Sequence, residues 1–228
     1  MRLKVAHALI DEITFFAWTG RKRFRALFEN KTVAVVGNGP SLAGRELGGA
    51  IDHHDIVVRI NLVRPKGREG DIGRRTDVRF IGATMLNRHV PYVDSLSLDE
   101  IILTTGKNRL FMERLGRRCR FYPPRIPMRA FRLLQEKYGE RIKIASADRP
   151  PRSGFVFLSL LLSFSGASKI TLYGFSLKEK EFMKAFDYAG SGIVSYEREK
   201  FENNHCDPAI EASVLRQLAR LGVLSLSE

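Results

Sequence analysis

The 228-residue chain has only two cysteines, Cys119 and Cys206. Two thiols are too few for a disulfide scaffold or a structural zinc site, which points to a reducing, cytoplasmic compartment. Long hydrophobic runs are also missing. The longest, Phe155 to Ala167, is broken by three serines and falls short of the roughly 20 apolar residues of a membrane span. Asp11 and Glu12 interrupt the apolar stretch near the start, so no export signal is visible. Acids are scarce, 25 Asp+Glu against 38 Lys+Arg, giving a formal charge of +13. That surplus attracts phosphates, sugar acids, nucleic acid or an anionic membrane without choosing among them. There is no G-x-x-x-x-G-K-[ST], which removes support for a nucleoside triphosphatase. A full G-x-G-x-x-G is absent too, and the second strand ends in Asn61 where an acid would meet a ribose diol; a dinucleotide cofactor is therefore not expected. No Asp-x-Asp pair stands at a strand end, so neither metal nor cofactor is expected.

What is present describes a folded protein, with 44% hydrophobic and 28% charged residues. Thr32–Val36 is a β-branched run entering Gly37-Asn38-Gly39-Pro40-Ser41 and then a predicted helix from about Leu42. Further strands are expected at Asp55–Asn61, Val78–Gly82, Glu100–Thr105, Ile142–Ser146 and Lys169–Phe175. Strands alternating with helical segments predict an α/β fold, a single Rossmann-like domain whose mostly parallel sheet carries helices on both faces. Apolar residues at helical spacing predict an amphipathic helix over 2–18, followed by Arg21, Lys22, Arg23 and Arg25. Residues 1–30 thus read as an N-terminal helix and basic segment, and 31–228 as the main domain. The N-terminal stripe suits packing on the domain, with contact to an anionic membrane through residues 2–25 as the alternative. Residues 107–129, with eight Arg or Lys and only Glu113 as an acid, read as a solvated basic rim. They lack the aromatic repeat that would stack bases. Residues 178–204 have no apolar period and read as a flexible lid.

In an open parallel sheet, ligands bind at the carboxyl ends of the strands. Gly37 to Ser41, Asn61, Gly82 and Gly174 to Ser176 gather there, a set without acids. Gly37 and Gly39 let backbone approach a ligand, and the N–H groups of a following helix suit a phosphate; Ser41 as a simple helix cap is the alternative. Arg152-Ser153-Gly154 precede the apolar helix Phe155–Ser165 and could bring a guanidinium, a hydroxyl and N–H groups to one anion. Ser153 could equally be only an N-cap. His205 stands at a helix entrance beside Asp207 and upstream of Glu211, where a carboxylate could orient it as a general base. Cys206 next to it is not expected to be a nucleophile, since adjacent residues of an extended segment point apart.

Three separated segments together resemble the sialyltransferases, both the animal-type family and the small bacterial one. Thr32 to Leu42, Val57 to Asn61 and Asp71-Ile72-Gly73-Arg74-Arg75-Thr76-Asp77 resemble the large sialylmotif. Pro151-Arg152-Ser153-Gly154 through Lys169–Phe175 resembles the small one, and His205 with Glu211 the very small one. The resemblance implies a Rossmann-like GT-A variant that transfers a sugar acid from a CMP-activated donor, with inversion and without metal, to a glycan or glycolipid acceptor. It places Asn38, Gly39, Pro40, Ser41 and Asn61 on the nucleotide, Arg152, Ser153 and Gly154 on the donor, and His205 as base. Lys178 and Lys184 stand where bacterial members carry two lid tyrosines that hold the donor phosphate. Five residues separate His205 from Glu211 where four are expected. Neither main motif contains cysteine, and no span is visible, which favours a bacterial-type enzyme, cytoplasmic or peripheral on the inner membrane surface. A Kdo transferase of envelope or capsule assembly is the rival donor reading. A basic nucleic-acid-binding module is the rival from another class, but no reading motif supports it, so nucleic acid is not expected as a partner.

Overall fold

Runs of Val, Ile and Leu bounded by turn residues become the strands of one sheet buried on both faces, as an all-parallel sheet requires. The computed structural model describes residues 18–61, 64–82, 99–104, 119–121, 126–175, 177, 184–186, 193–195 and 205–227. In chain order they form α1 (Trp18–Phe28), β1 (Thr32–Val36), a 3₁₀ turn (Pro40–Leu42), α2 (Gly48–Asp52), β2 (Ile56–Ile60), α3 (Glu69–Ile72) and β3 (Val78–Ile81). There follow β4 (Ile101–Thr104), β5 (Cys119–Phe121), α4 (Ile126–Tyr138), α5 (Ser153–Phe164), β6 (Lys169–Tyr173), β7 (Lys184–Phe186), β8 (Ile193–Ser195), α6 (Pro208–Arg220) and β9 (Ser225–Ser227). Seven strands make the main sheet in the order β5-β4-β3-β2-β1-β6-β9, and every neighbouring pair in it is parallel. The expectation of a mostly parallel α/β fold is met.

Alternation along the strands divides the core in two. Val33, Val35, Val58, Ile60, Val78, Phe80, Leu103, Ile170 and Leu172 share one hydrophobic cluster with residues of α1, α4, α5 and α6. Phe157 of α5 is its hub, with ring centroids 6.5 Å from Phe24, 6.1 Å from Phe28 and 5.3 Å from Phe80. Phe24 and Phe28 lie four apart on α1, so one stripe of that helix enters the core while Arg21, Lys22, Arg23 and Arg25 stay exposed. The intervening strand residues Ala34, Val57, Arg59, Arg79 and Ile102 face the other side and are also buried. There α2 and α3 close the sheet: Arg59 Nη2 donates to the carbonyls of Ile72 and Gly73 at 2.8 and 3.0 Å.

Several expectations are corrected. No α-helix starts near Leu42. One 3₁₀ turn ends at Ala43, after which the Asp71 carboxylate takes the N–H groups of Gly44 and Glu46 at 2.8 and 3.0 Å and draws the chain away. Ile142–Ser146 is not a strand. The Gln217 side chain instead accepts from the Lys143 N–H at 2.6 Å and donates to its carbonyl at 2.9 Å, a ladder made by one amide. The basic segment after residue 18 is helical, because Phe24 and Phe28 need burial. β5 and the start of α4 fall inside the basic stretch 107–129, and β7 and β8 pair as an antiparallel hairpin within 178–204. The helix expected over 2–18 lies outside the described residues, save Trp18. Among the described residues, no helix is long and apolar enough to cross a membrane.

Candidate active site

The chain runs outward from β1 to β5 and then crosses back to place β6 against the free side of β1. The connections therefore reverse between β1 and β6, and the carboxyl ends of these strands mark the crevice in which ligands bind in such sheets. Gly37 leaves β1 by donating to the Tyr173 carbonyl at 2.8 Å, and Gly39 donates to that of Gly174 at 2.9 Å. A Cβ on Gly37 would lie 2.7 Å from the Gly174 oxygen, so only glycine permits this approach. Asn38 is half-buried, Gly39 buried, and Pro40 and Ser41 half-buried in the 3₁₀ turn. Ser41 therefore caps no α-helix, and no α-helix starts directly from this turn.

One strand along, Asn61 directly follows β2, with φ of +60°. Its N–H donates to the Phe80 carbonyl at 2.7 Å, its carbonyl accepts from Arg79 Nη1 at 2.8 Å, and its Oδ1 accepts from the Gly82 N–H at 3.3 Å. Gly82 in turn sits against Ser153: a Cβ there would meet Ser153 Oγ at 2.2 Å and Asn61 Oδ1 at 3.9 Å. Asn61, Gly82 and Ser153 thus converge at the rim of the crevice. The N-cap of α5 is Arg152 and makes no side-chain capping bond, so Ser153 is the first helical residue and not the cap. Gly154 lies under the Phe175 ring, which a Cβ would meet at 3.0 Å.

His205 lies at the same helix entrance, where the Pro150 and Pro151 carbonyls and the Glu211 and Arg152 charges act on it. The buried Glu211 carboxylate accepts from the Arg152 N–H at 2.7 Å and from Arg152 Nε at 2.9 Å. The Cys206 N–H donates to the Pro150 carbonyl at 3.0 Å, drawing the start of α6 beside that of α5. Burial pulls the His205 pKa below 6.5; the Glu211 charge opposes this, Arg152 reinforces it, and the Pro151 and Pro150 carbonyls oppose it. The imidazole is therefore neutral at neutral pH, the form a base needs. Asp207, adjacent in sequence, instead caps α6 by accepting from the Ala209 N–H at 2.8 Å. Cys206 is buried, and burial with the nearby Glu211 charge pushes its thiol up to about 12. No thiolate nucleophile forms there near neutrality.

The large-motif residues outside the crevice brace it from beneath. Arg59 holds the Ile72, Gly73 and Arg75 carbonyls and Thr76 Oγ1, and the Asp52 carboxylate takes the N–H groups of Arg74 and Arg75. Lys178 lies outside the described residues. Lys184 begins β7, whose backbone runs beside the Pro40–Leu42 turn. Glu211 as an anchor for Arg152, and Arg79 as a partner of Asn61, were not expected from the sequence. A signal existed for Arg79: an arginine between Val78 and Phe80, in a strand buried on both faces, needs buried acceptors, supplied here by a carboxylate and a backbone carbonyl. Among the described residues, no three His, Cys, Asp or Glu side chains gather as metal ligands.

The profile of glycosyltransferase family 29 (sialyltransferase) matches residues 22–223. The chain belongs to that family. A beta-galactoside alpha-2,6-sialyltransferase 2 of Bos taurus is 27% identical over 175 residues, covering 66% of this chain and 34% of the relative. A CMP-N-acetylneuraminate-beta-1,4-galactoside alpha-2,3-sialyltransferase of Pan troglodytes is 51% identical over 46 residues, covering 20% of this chain and 12% of the relative. The alignments thus span about a third or less of these relatives' lengths. Crystal structures of a mammalian sialyltransferase share the fold. One has a TM-score of 0.61 at 19% identity, covering 89% of this chain and 71% of the other. Another, in complex with Gal-beta-1-3GalNAc-ortho-nitrophenol, has a TM-score of 0.59 at 20% identity with the same coverage. These relatives are animal proteins, and they lend no support to the bacterial or Kdo-transferring expectation. Membership in family 29 agrees with the resemblance read from the three motifs.

Proposed function

We propose that this family 29 chain transfers sialic acid from a CMP-linked donor to a glycan hydroxyl, with inversion and without metal, using His205 as general base. The observation that carries the reading is the Glu211–Arg152 junction. It sets a neutral, half-buried histidine at the same helix entrance as Ser153, beside the crevice at β1 and β6. CMP occupies that crevice, with Asn38 to Ser41 and Asn61 on the nucleotide and Arg152, Ser153 and Gly154 toward the donor. The imidazole takes the acceptor hydroxyl proton as that oxygen bonds to the anomeric carbon. The bond from that carbon to the donor phosphate oxygen breaks, and CMP departs with the electron pair. Lys178 and Lys184 offset the charge developing on the phosphate. Family membership and the names of the relatives, which act on beta-galactosides or use CMP-N-acetylneuraminate, support this donor and a galactoside-type acceptor.

The test is His205→Ala assayed with CMP-sialic acid and, in parallel, CMP-Kdo. Transfer of sialic acid is expected to fall by roughly 10²–10⁴-fold with CMP binding nearly intact. Near-normal turnover removes His205 as base, and preferential transfer from CMP-Kdo replaces the donor. A saturating chelator is expected to leave the rate largely unchanged; loss of activity restored by magnesium or manganese overturns the metal-free mechanism.

A further inference from the structure

Arg79 and Glu100 form a buried ion pair on the face of the sheet opposite the main hydrophobic cluster. Their side chains are 2% and 6% exposed, in a fold whose other charges lie mostly outside. Arg79 Nε donates to Glu100 Oε2 at 2.6 Å and Nη2 to Oε1 at 3.1 Å, a two-pronged grip that fixes the guanidinium plane. The remaining nitrogen, Nη1, donates to the Asn61 carbonyl at 2.8 Å. Such pairs stabilise little over apolar residues of similar size, because taking both charges out of water offsets their attraction. What this one holds is a residue in an uncommon backbone conformation.

Asn61 has a left-handed φ of +60°, a region that asparagine enters more readily than other non-glycine residues and that the bonds around it hold in place. Three bonds do so: Asn61 N–H to Phe80, Asn61 carbonyl from Arg79, and Asn61 Oδ1 from Gly82. The last spends the amide oxygen and leaves the two N–H donors of Nδ2 unengaged among the described residues. We propose that Arg79, gripped by Glu100, is a positioning residue that holds Asn61 with its side-chain amide donors presented to the nucleotide. This rests on the reading of Asn61 as a nucleotide contact. It adds that a pair joining β3 to the segment entering β4 controls affinity through one carbonyl.

The test is a cycle in the full chain, reading CMP affinity by calorimetry and the melting temperature of each variant. Arg79→Met alone would strand the Glu100 carboxylate, so the pair is replaced together as Arg79→Met with Glu100→Leu. Asn61→Ala is expected to weaken CMP about five- to tenfold, the size of one lost hydrogen bond to a charged or polar ligand group. The paired replacement is expected to weaken it comparably while melting within a few degrees of the parent. The triple variant should bind CMP no more weakly than Asn61→Ala, since the pair then has nothing left to position. If Asn61→Ala leaves affinity unchanged, the assignment of Asn61 to the nucleotide fails. If Asn61→Ala weakens CMP but the paired replacement does not, or if their losses add in full, the positioning role is overturned. Should the paired variant fail to fold, Arg79→Lys decides. Lysine keeps the charge against Glu100 but cannot also reach Asn61, so unchanged CMP affinity there overturns the proposal and a comparable loss upholds it.

Discussion

Glu211 holds Arg152 twice, by its backbone N–H at 2.7 Å and by its guanidinium Nε at 2.9 Å. One carboxylate on the first turn of α6 thereby fixes the residue immediately before α5, and with it the approach of Ser153 to the crevice. Removing it takes both carboxylate acceptors away from Arg152. Glu211→Ala is expected to cost about 2–4 kcal/mol in stability by urea titration, with Glu211→Gln recovering part through the retained acceptor. A loss below about 0.5 kcal/mol would show the junction to be incidental.

The acid limb of the activity profile offers a second check. Among the described residues, Glu211, Arg152 and the Pro150 and Pro151 carbonyls act on His205, and burial outweighs the favourable ones. The limb of kcat/KM against pH is expected below 6.5. Glu211→Gln should move it lower still, and Arg152→Met should move it up, because the two charges act in opposite directions. The same depressed value makes the folded state bind fewer protons than the unfolded one, so His205 lowers stability as pH falls below 6.5 until the folded imidazole itself protonates. A limb at or above 6.5, or parallel shifts in the two variants, contradicts this.

Gly82→Ala places a methyl group where Ser153 Oγ now lies, 2.2 Å from the new carbon. The hydroxyl can rotate away, so the fold should survive while donor binding suffers. We expect Gly82→Ala to raise KM for the donor about as much as Ser153→Ala does, with no further rise when both are combined. Additive effects would mean that the two residues act separately.

The proposed mechanism gives Lys178 and Lys184 the departing phosphate, where charge would develop during transfer. Replacing both by Met is expected to lower kcat by at least roughly tenfold while CMP affinity changes less. Unchanged turnover would return them to the solvated surface, as Glu179 and Glu181 in the same segment would suit.

The framework of this site was legible because a doubly buried parallel strand writes itself as an apolar run. Val33–Val36, Val57–Ile60 and Ile170–Tyr173 announced β1, β2 and β6, and the small residues after them marked the crevice. The helix expected after Pro40 failed because Asp71, far along the chain, captures the N–H groups of Gly44 and Glu46. Ile142–Ser146 looked like a strand by composition, and no local pattern reveals that the Gln217 amide stands in for a neighbouring strand. β5 and β9, three residues each, carry too short a pattern to separate from loop. His205 was visible as a titrating group at a helix entrance with Asp207 and Glu211 as its two candidate carboxylates, but not which of them lies toward α5. Asp207 is nearer in sequence and caps α6, while Glu211, a turn later, points back to Arg152.

The junction of β1 with β6 also governs when a binding site can exist. It pairs Val36 with Tyr173 and so closes a loop of about 140 residues, a large entropic step that nearby contacts do not assist. β2, β3 and β4 can assemble on β1 while the chain is still being synthesised, yet no crevice opens until β6 has emerged and docked. Ser153 and His205 are likewise supplied by the last third of the polypeptide. On the proposed reading of the site, nucleotide capture reports a finished fold, and a chain arrested before Lys169 can display most of the sheet without completing the site.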